Sequence, residues 1–127
     1  MAYPGRMLGY DVVIIGAGAS GLFCALTLAR RGLTVAAIDH NTQTGKKLKI
    51  TGGGRCNFGN VKVGPENYLS ENPHFCISAL SRFGPLDFKD FLTGHGLGVS
   101  EEKNGQLFCK EGAVAVADLL ERLCVQA

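Results

Sequence analysis

Apolar and polar positions alternate in blocks along the first third of the chain. Residues Val12-Val13-Ile14-Ile15 form an unbroken β-branched run, too short for a helix and suited to a parallel strand covered on both faces. After Gly16-Ala17-Gly18-Ala19-Ser20-Gly21, apolar residues recur at helical spacing at Leu22, Ala25, Leu26, Leu28 and Ala29. Gly32, behind Arg30 and Arg31, marks the helix end. A second apolar run, Thr34-Val35-Ala36-Ala37-Ile38, closes on Asp39. Strand, glycine turn, helix, second strand and acid in that order predict a βαβ unit that binds a dinucleotide.

Further on the pattern predicts helical cover and a hairpin. Phe75, Ile77, Leu80 and Phe83 fall at helical spacing, and a second short helix is expected from Pro85 to Leu92, ending at Gly94. An aromatic stripe of this kind reads as core. Val99 and Gln106-Leu107-Phe108-Cys109 flank Lys103-Asn104-Gly105, where Asn-Gly signals a hairpin turn. A final helix is expected over residues 113–125, with Val114, Ala117, Leu120, Leu123 and Cys124 inward and Glu121 and Arg122 outward. His74 and His95 sit beside a proline and a glycine, as solvated loop histidines or as proton donors.

Each part of the glycine turn has a physical task. Gly16 permits the tight turn out of the strand, Gly18 lets backbone approach a pyrophosphate, and Gly21 lets the helix pack close to the sheet. The helix N-terminus at Ala19 and Ser20 offers unpaired N–H groups and a positive dipole end to phosphates. Asp39 lies 18 positions beyond Gly21, where a carboxylate accepts hydrogen bonds from both ribose hydroxyls and a 2′-phosphate would meet a like charge. NADP is therefore disfavoured.

A second loop carries its own chemistry. In Thr51-Gly52-Gly53-Gly54-Arg55-Cys56-Asn57, three glycines can turn their N–H groups inward as an anion-binding nest, with Thr51, Arg55 and Asn57 adding donors. Such a run is entropically costly unless it serves a purpose. Lys46 and Lys49 read as solvated. Cys56 has two readings, a reactive thiol activated by Arg55 or a small buried residue under a cofactor.

The run Gly45-Lys46-Lys47-Leu48-Lys49-Ile50-Thr51-Gly52-Gly53-Gly54-Arg55-Cys56-Asn57-Phe58-Gly59-Asn60, behind the dinucleotide unit, closely resembles the bacterial BaiN-like flavoproteins, also described as aminoacetone oxidase-like FAD-binding enzymes. Family members read S-G-G-G-R-C-N-x-T-N here, so Thr51 replaces a serine and Gly59 a threonine. Asn72-Pro73-His74-Phe75-Cys76, Ser78-Ala79-Leu80 and Gly105-Gln106-Leu107-Phe108-Cys109 are also similar to the family. The resemblance implies an α/β chain, the N-terminal part of a Rossmann-like FAD-binding domain over residues 10–127: a βαβ unit, a glycine-rich loop and a helical segment. It implies FAD as cofactor, with Gly16, Ala17, Gly18, Ala19, Ser20 and Gly21 at the pyrophosphate. Asp39, where the family commonly has glutamate, would hold the adenosine ribose, with His40 beside it. Lys47, Thr51, Gly52, Gly53, Gly54, Arg55, Cys56 and Asn57 would run along the flavin half. NAD(P)H is the candidate electron donor of full-length members, and a small molecule the expected substrate.

Composition narrows the classes. At 46% hydrophobic and 19% charged the chain is globular in character, and a net charge of +2 makes no case for nucleic acid or an anionic membrane. No apolar run approaches the about 20 residues needed to span a bilayer. Residues 1–9 carry no secretory pattern and are expected to form a tail. The five scattered cysteines lack CxxC spacing, which fits free thiols in a reducing cytoplasm and argues against a disulfide framework or a zinc site. The closing helix should feed a further parallel strand, so the chain is expected to be truncated. Three readings follow: an FAD-dependent oxidoreductase, a nucleotide-binding fragment without turnover, and a NAD-dependent dehydrogenase module, against which the long glycine loop speaks.

Overall fold

The structure, a computed structural model, describes residues 9–127; apart from Gly9, the expected tail lies outside the described residues. The chain forms two compact units. Residues 9–47 and 117–127 belong to the first and Leu48–Val116 to the second.

In the first unit, strand β1 (Val12–Ile15) passes through the glycine turn into helix α1 (Ala19–Ala29), which returns to strand β2 (Val35–Ile38). The two strands pair in parallel, Val12 opposite Val35 and Ile15 opposite Ile38. This is the expected βαβ unit. Its first pairing is stapled by side chain as well as backbone, because Asp11 N donates to Thr34 O at 2.9 Å and Thr34 N donates back to Asp11 Oδ2 at 2.8 Å. Helix α1 ends as anticipated: Gly32 adopts φ +83° and its N–H donates to Ala29 O at 2.8 Å. Leu22, Ala25 and Leu26 form its buried stripe.

The expectation that both faces of β1 are covered is corrected. Burial alternates along the strand, with Val13 53% and Ile15 80% exposed, and Ile38 of β2 51% exposed. Helix α1 packs on one face of this pair, and the β-branched run presents its other face to solvent.

The second unit is built on a three-stranded antiparallel sheet. Its strands are β3 (Asn57–Asn60), β4 (Val99–Glu101) and β5 (Gln106–Cys109), in the order β3-β5-β4. The hairpin of β4 and β5 turns at Lys103–Gly105, where Asn104 (φ +63°) and Gly105 (φ +82°) both take left-handed backbone, as the Asn-Gly signal requires. Strand β3 has no apolar alternation, since Asn-Phe-Gly-Asn reads as loop. It is a strand because β5 offers it an edge, Asn57 opposite Phe108 and Asn60 opposite Gln106, with a register shift between Asn57 and Gly59.

Helices α2 (Ile77–Arg82) and α3 (Pro85–Gly94) lie where the periodicity placed them. Helix α3 starts with Pro85 at its first position, and Asp87 Oδ2 accepts from Gly84 N at 2.7 Å. The aromatic stripe is not the core that was expected: Phe75, Ile77 and Phe83 are exposed, and Leu92 of α3 is fully buried. Helix α4 (Gly112–Gln126) buries Ala113, Val116, Ala117, Leu119 and Leu120 and exposes Glu121 and Arg122; Ala117 and Leu120 are inward as predicted, whereas Val114, also expected inward, faces solvent. Among the described residues, no helix is long and apolar enough to cross a membrane.

Candidate cofactor site

The glycine turn is built on two contacts that only small residues allow. A Cβ on Gly21 would sit 1.9 Å from Gly16 O, so the first turn of α1 lies against the end of β1 with no room for a side chain. Gly16 itself is at φ +102°, left-handed backbone favouring glycine, and its N–H donates to Ile38 O at 2.7 Å, extending the parallel ladder into the turn. A Cβ on Gly18 would meet nothing within 4 Å, so backbone there is open to an approaching group. No side chain caps α1 at Gly18, and its first turn holds no acidic residue. Ala19 and Ser20 are exposed there, in a turn whose N–H groups have no intrahelical acceptor. The turn therefore carries a positive dipole end that nothing within it neutralises.

Asp39 locks this turn in place. Its Oδ2 accepts from Ala17 N at 2.8 Å, and its Oδ1 accepts from both Asn41 N and Asn41 Nδ2 at 2.8 Å. Ala17 O in turn accepts from Gly45 N at 2.8 Å, so buried Ala17 is held from both sides. The Asn41 N–H, then the Ala17 N–H and the Asn41 amide, lower the Asp39 pKa from 3.8 to about 2. The carboxylate expected to face a ribose organises the glycine turn. Asn41 escaped the sequence reading, although Asp-x-Asn is the spacing of a side chain reaching two residues onward. His40 is 91% exposed, its Nδ1 3.5 Å from Asp39 Oδ1, and Lys47 is exposed at the end of the first unit.

The second loop lies in the other unit and folds differently from expectation. Gly52 (φ +56°, ψ 31°) and Gly53 (φ +65°, ψ 33°) are both left-handed, so the glycines form a left-handed turn and not the right–left alternation of a nest. The loop closes on itself: Arg55 N donates to Gly52 O at 3.3 Å, Cys56 N to Thr51 O at 3.0 Å, and Thr51 Oγ1 to Leu48 O at 2.7 Å. Gly52 is required twice over, because a Cβ would lie 2.8 Å from Asn57 N. Around Gly53 and Gly54 that position is open.

Arg55, whose fork suits phosphate oxygens, is paired with Glu102 and lies 4.2 Å from the centroid of the Phe108 ring. Phe108 and Glu102 come from the β4–β5 hairpin, a partnership invisible in linear spacing. Cys56 is 1% exposed at φ +54°, and burial raises its thiol pKa, with the Thr51 hydrogen bond opposing. A thiol so covered has the character of a packing residue, not of an activated nucleophile. Asn57 opens β3, and with its carboxamide nitrogen turned inward it donates to Gly59 O at 3.2 Å and Leu107 O at 3.3 Å.

Residues 10–127 match the HI0933-like protein Rossmann domain. The chain belongs to that family. It is 47% identical over 115 residues to a ribosomal RNA dihydrouridine synthase of Escherichia coli, covering 91% of this chain and 29% of that protein. A Haemophilus influenzae protein of the same name is 46% identical over 112 residues, covering 88% and 28%. A 3-dehydro-bile acid delta(4,6)-reductase of Clostridium scindens is 33% identical over 111 residues, covering 85% and 27%. The chain thus spans less than a third of the length of these relatives. As a member of the HI0933-like family, its glycine turn and the loop at residues 51–57 are two parts of a Rossmann-type domain.

Proposed function

We propose that this chain is the FAD-binding portion of a flavoprotein reductase that adds hydrogen across an activated carbon–carbon double bond. The observation that carries cofactor binding is the Gly16–Gly21 contact together with the Asp39 lock on Ala17, a tight turn that a single Cβ on Gly21 would break while the backbone at Gly18 stays open. The residues fit a dinucleotide. Amides in the first turn of α1, with Gly18 leaving backbone open, suit the pyrophosphate, and the lone pairs left on Asp39 suit ribose hydroxyls. Gly53 and Gly54, open on their side-chain positions, let a flat ring approach the second loop, while Arg55 holds that loop to the hairpin. When bound, FAD supplies hydride transfer.

The reaction class rests on the names of the relatives. A dihydrouridine differs from uridine by two hydrogens across C5=C6, and a delta(4,6)-reductase acts on conjugated alkenes, so the two activities share one chemistry. Identities of 46–47% against 33% favour a uracil ring as substrate. A small-molecule enone is the second reading, favoured by the near-neutral charge of +2.

The test is visible absorption of the purified chain before and after FAD addition and gel filtration. Retained flavin bands, lost in Gly18→Leu, are expected. A folded chain that takes up no FAD would overturn the reading for these residues. Anaerobic photoreduction of the loaded chain, then addition of a uridine oligoribonucleotide or a steroid enone, shows by return of the oxidised spectrum which alkene accepts hydride. A nicotinamide donor is tested in place of light.

A further inference from the structure

The second unit contains a cavity of about 580 Å³ whose walls include Phe58, Tyr68, Phe83, Phe88, Asn60 and Gln106. Its volume is that of a small-molecule site, which runs to about 300–1,000 Å³. No charged side chain lines it, so it is unsuited to a phosphate or carboxylate and suited to a neutral ring. Phe58 and Phe83 stand at 71° and 69° to Phe88, with centroids 5.3 and 6.3 Å away. Phe88 also stacks on Phe91, with centroids 5.7 Å apart and planes at 12°, so one wall of the cavity is a packed aromatic surface.

The polar groups on the wall differ in what they have left to give. The Asn57 carboxamide is spent on Gly59 O and Leu107 O. Asn60 donates to Asn104 O at 2.9 Å and accepts from Lys62 N at 2.8 Å. Gln106, opposite Asn60 across the β3–β5 ladder, is exposed and makes no side-chain hydrogen bond among the described residues. Its carboxamide places an acceptor beside a donor, the complement of the N3–H and C4=O of an imide.

Gly59 and Pro85 meet on one wall of the cavity, where a Cβ on Gly59 would lie 3.0 Å from Pro85 Cβ. The strand carrying Asn57, Gly59 and Asn60 is the direct continuation of the loop at residues 51–56.

We propose that this cavity seats a uracil ring, with Gln106 reading its imide edge, an inference that rests on the reading of the chain as part of a uracil-reducing flavoprotein. The probes are uridine 5′-monophosphate and a short uridine-containing oligoribonucleotide, followed by saturation-transfer NMR on the whole chain with and without FAD. Transfer is expected at H5 and H6 above the ribose protons. N3-methylation of the base and Gln106→Leu should each weaken binding at least about fivefold, with circular dichroism unchanged for exposed Gln106→Leu. Binding of the oligoribonucleotide alone, with the same dependence on Gln106, assigns the ring to RNA and supports the proposal.

Four results would overturn it. These are uridine binding indifferent to Gln106→Leu and to N3-methylation, no binding of either probe, displacement of the probe by FAD, or a steroid enone that binds regardless of Gln106. Because the probes are read without the cofactor, the two readings fail separately. FAD retention without uridine binding sinks the cavity assignment alone, and uridine binding without FAD retention sinks the flavin reading alone.

Discussion

Asp39 shows how much one side chain can decide. Its carboxylate accepts three hydrogen bonds, one of which fixes Ala17 in the glycine turn. Because these bonds lower its pKa from 3.8 to about 2, the folded state holds the ionised form more tightly than the unfolded chain does. That contribution is complete above about pH 4 and is lost as pH falls towards about 2. Thermal midpoints followed by circular dichroism should therefore fall more steeply across this window for the native chain than for Asp39→Asn. Parallel pH profiles of the two proteins would show that the lock does not form. The acid and its distance from the glycines were readable from sequence. Its bond to Ala17 N was not, since that depends on β2 ending beside the turn.

At the scale of elements, the β4–β5 hairpin is the piece on which the second unit depends. It supplies Glu102 and Phe108 to Arg55 and offers β5 as the edge along which β3 pairs. Gly105 is its most constrained position, at φ +82° with a Cβ site 2.7 Å from Val61 Cγ2 and 2.9 Å from Asn60 Oδ1. Gly105→Ala should cost about 1–3 kcal/mol, from strained backbone and crowding together. Asn104→Gly, at φ +63°, should be nearly neutral. Urea denaturation of the three proteins checks this, and equal midpoints would contradict it. The turn was legible from Asn-Gly. Strand β3 was not, because its pairing compensates for a sequence of poor strand propensity.

For the whole molecule, the exposed face of the β1–β2 pair is the main departure from expectation. Val13, Ile15 and Ile38 place apolar surface in water beside two strand edges, the combination that promotes association between copies. The chain should self-associate at micromolar concentration, and Ile15→Lys, which charges the most exposed of the three, should shift sedimentation velocity profiles toward monomer. A wild-type chain that sediments as a single monomeric species would refute this. Uniform hydrophobicity in a short run marks a strand but does not say which faces are covered, because cover comes from elements elsewhere in the chain.

By itself the sequence determined the βαβ order, the glycine turn, its acid and the Asn-Gly hairpin. Each follows from local rules: backbone conformations open chiefly to glycine and asparagine, and apolar periods of two or 3.6 residues. Only the tertiary structure decided that Asp39 grips Ala17, that Arg55 turns to Glu102 and Phe108, that Gly52 and Gly53 wind left-handed, and that Cys56 is buried. Those outcomes depend on which distant backbone or side chain arrives alongside. Hydrogen-bond partners and desolvation are properties of neighbours in space, and neighbours far apart in sequence leave no local pattern to read.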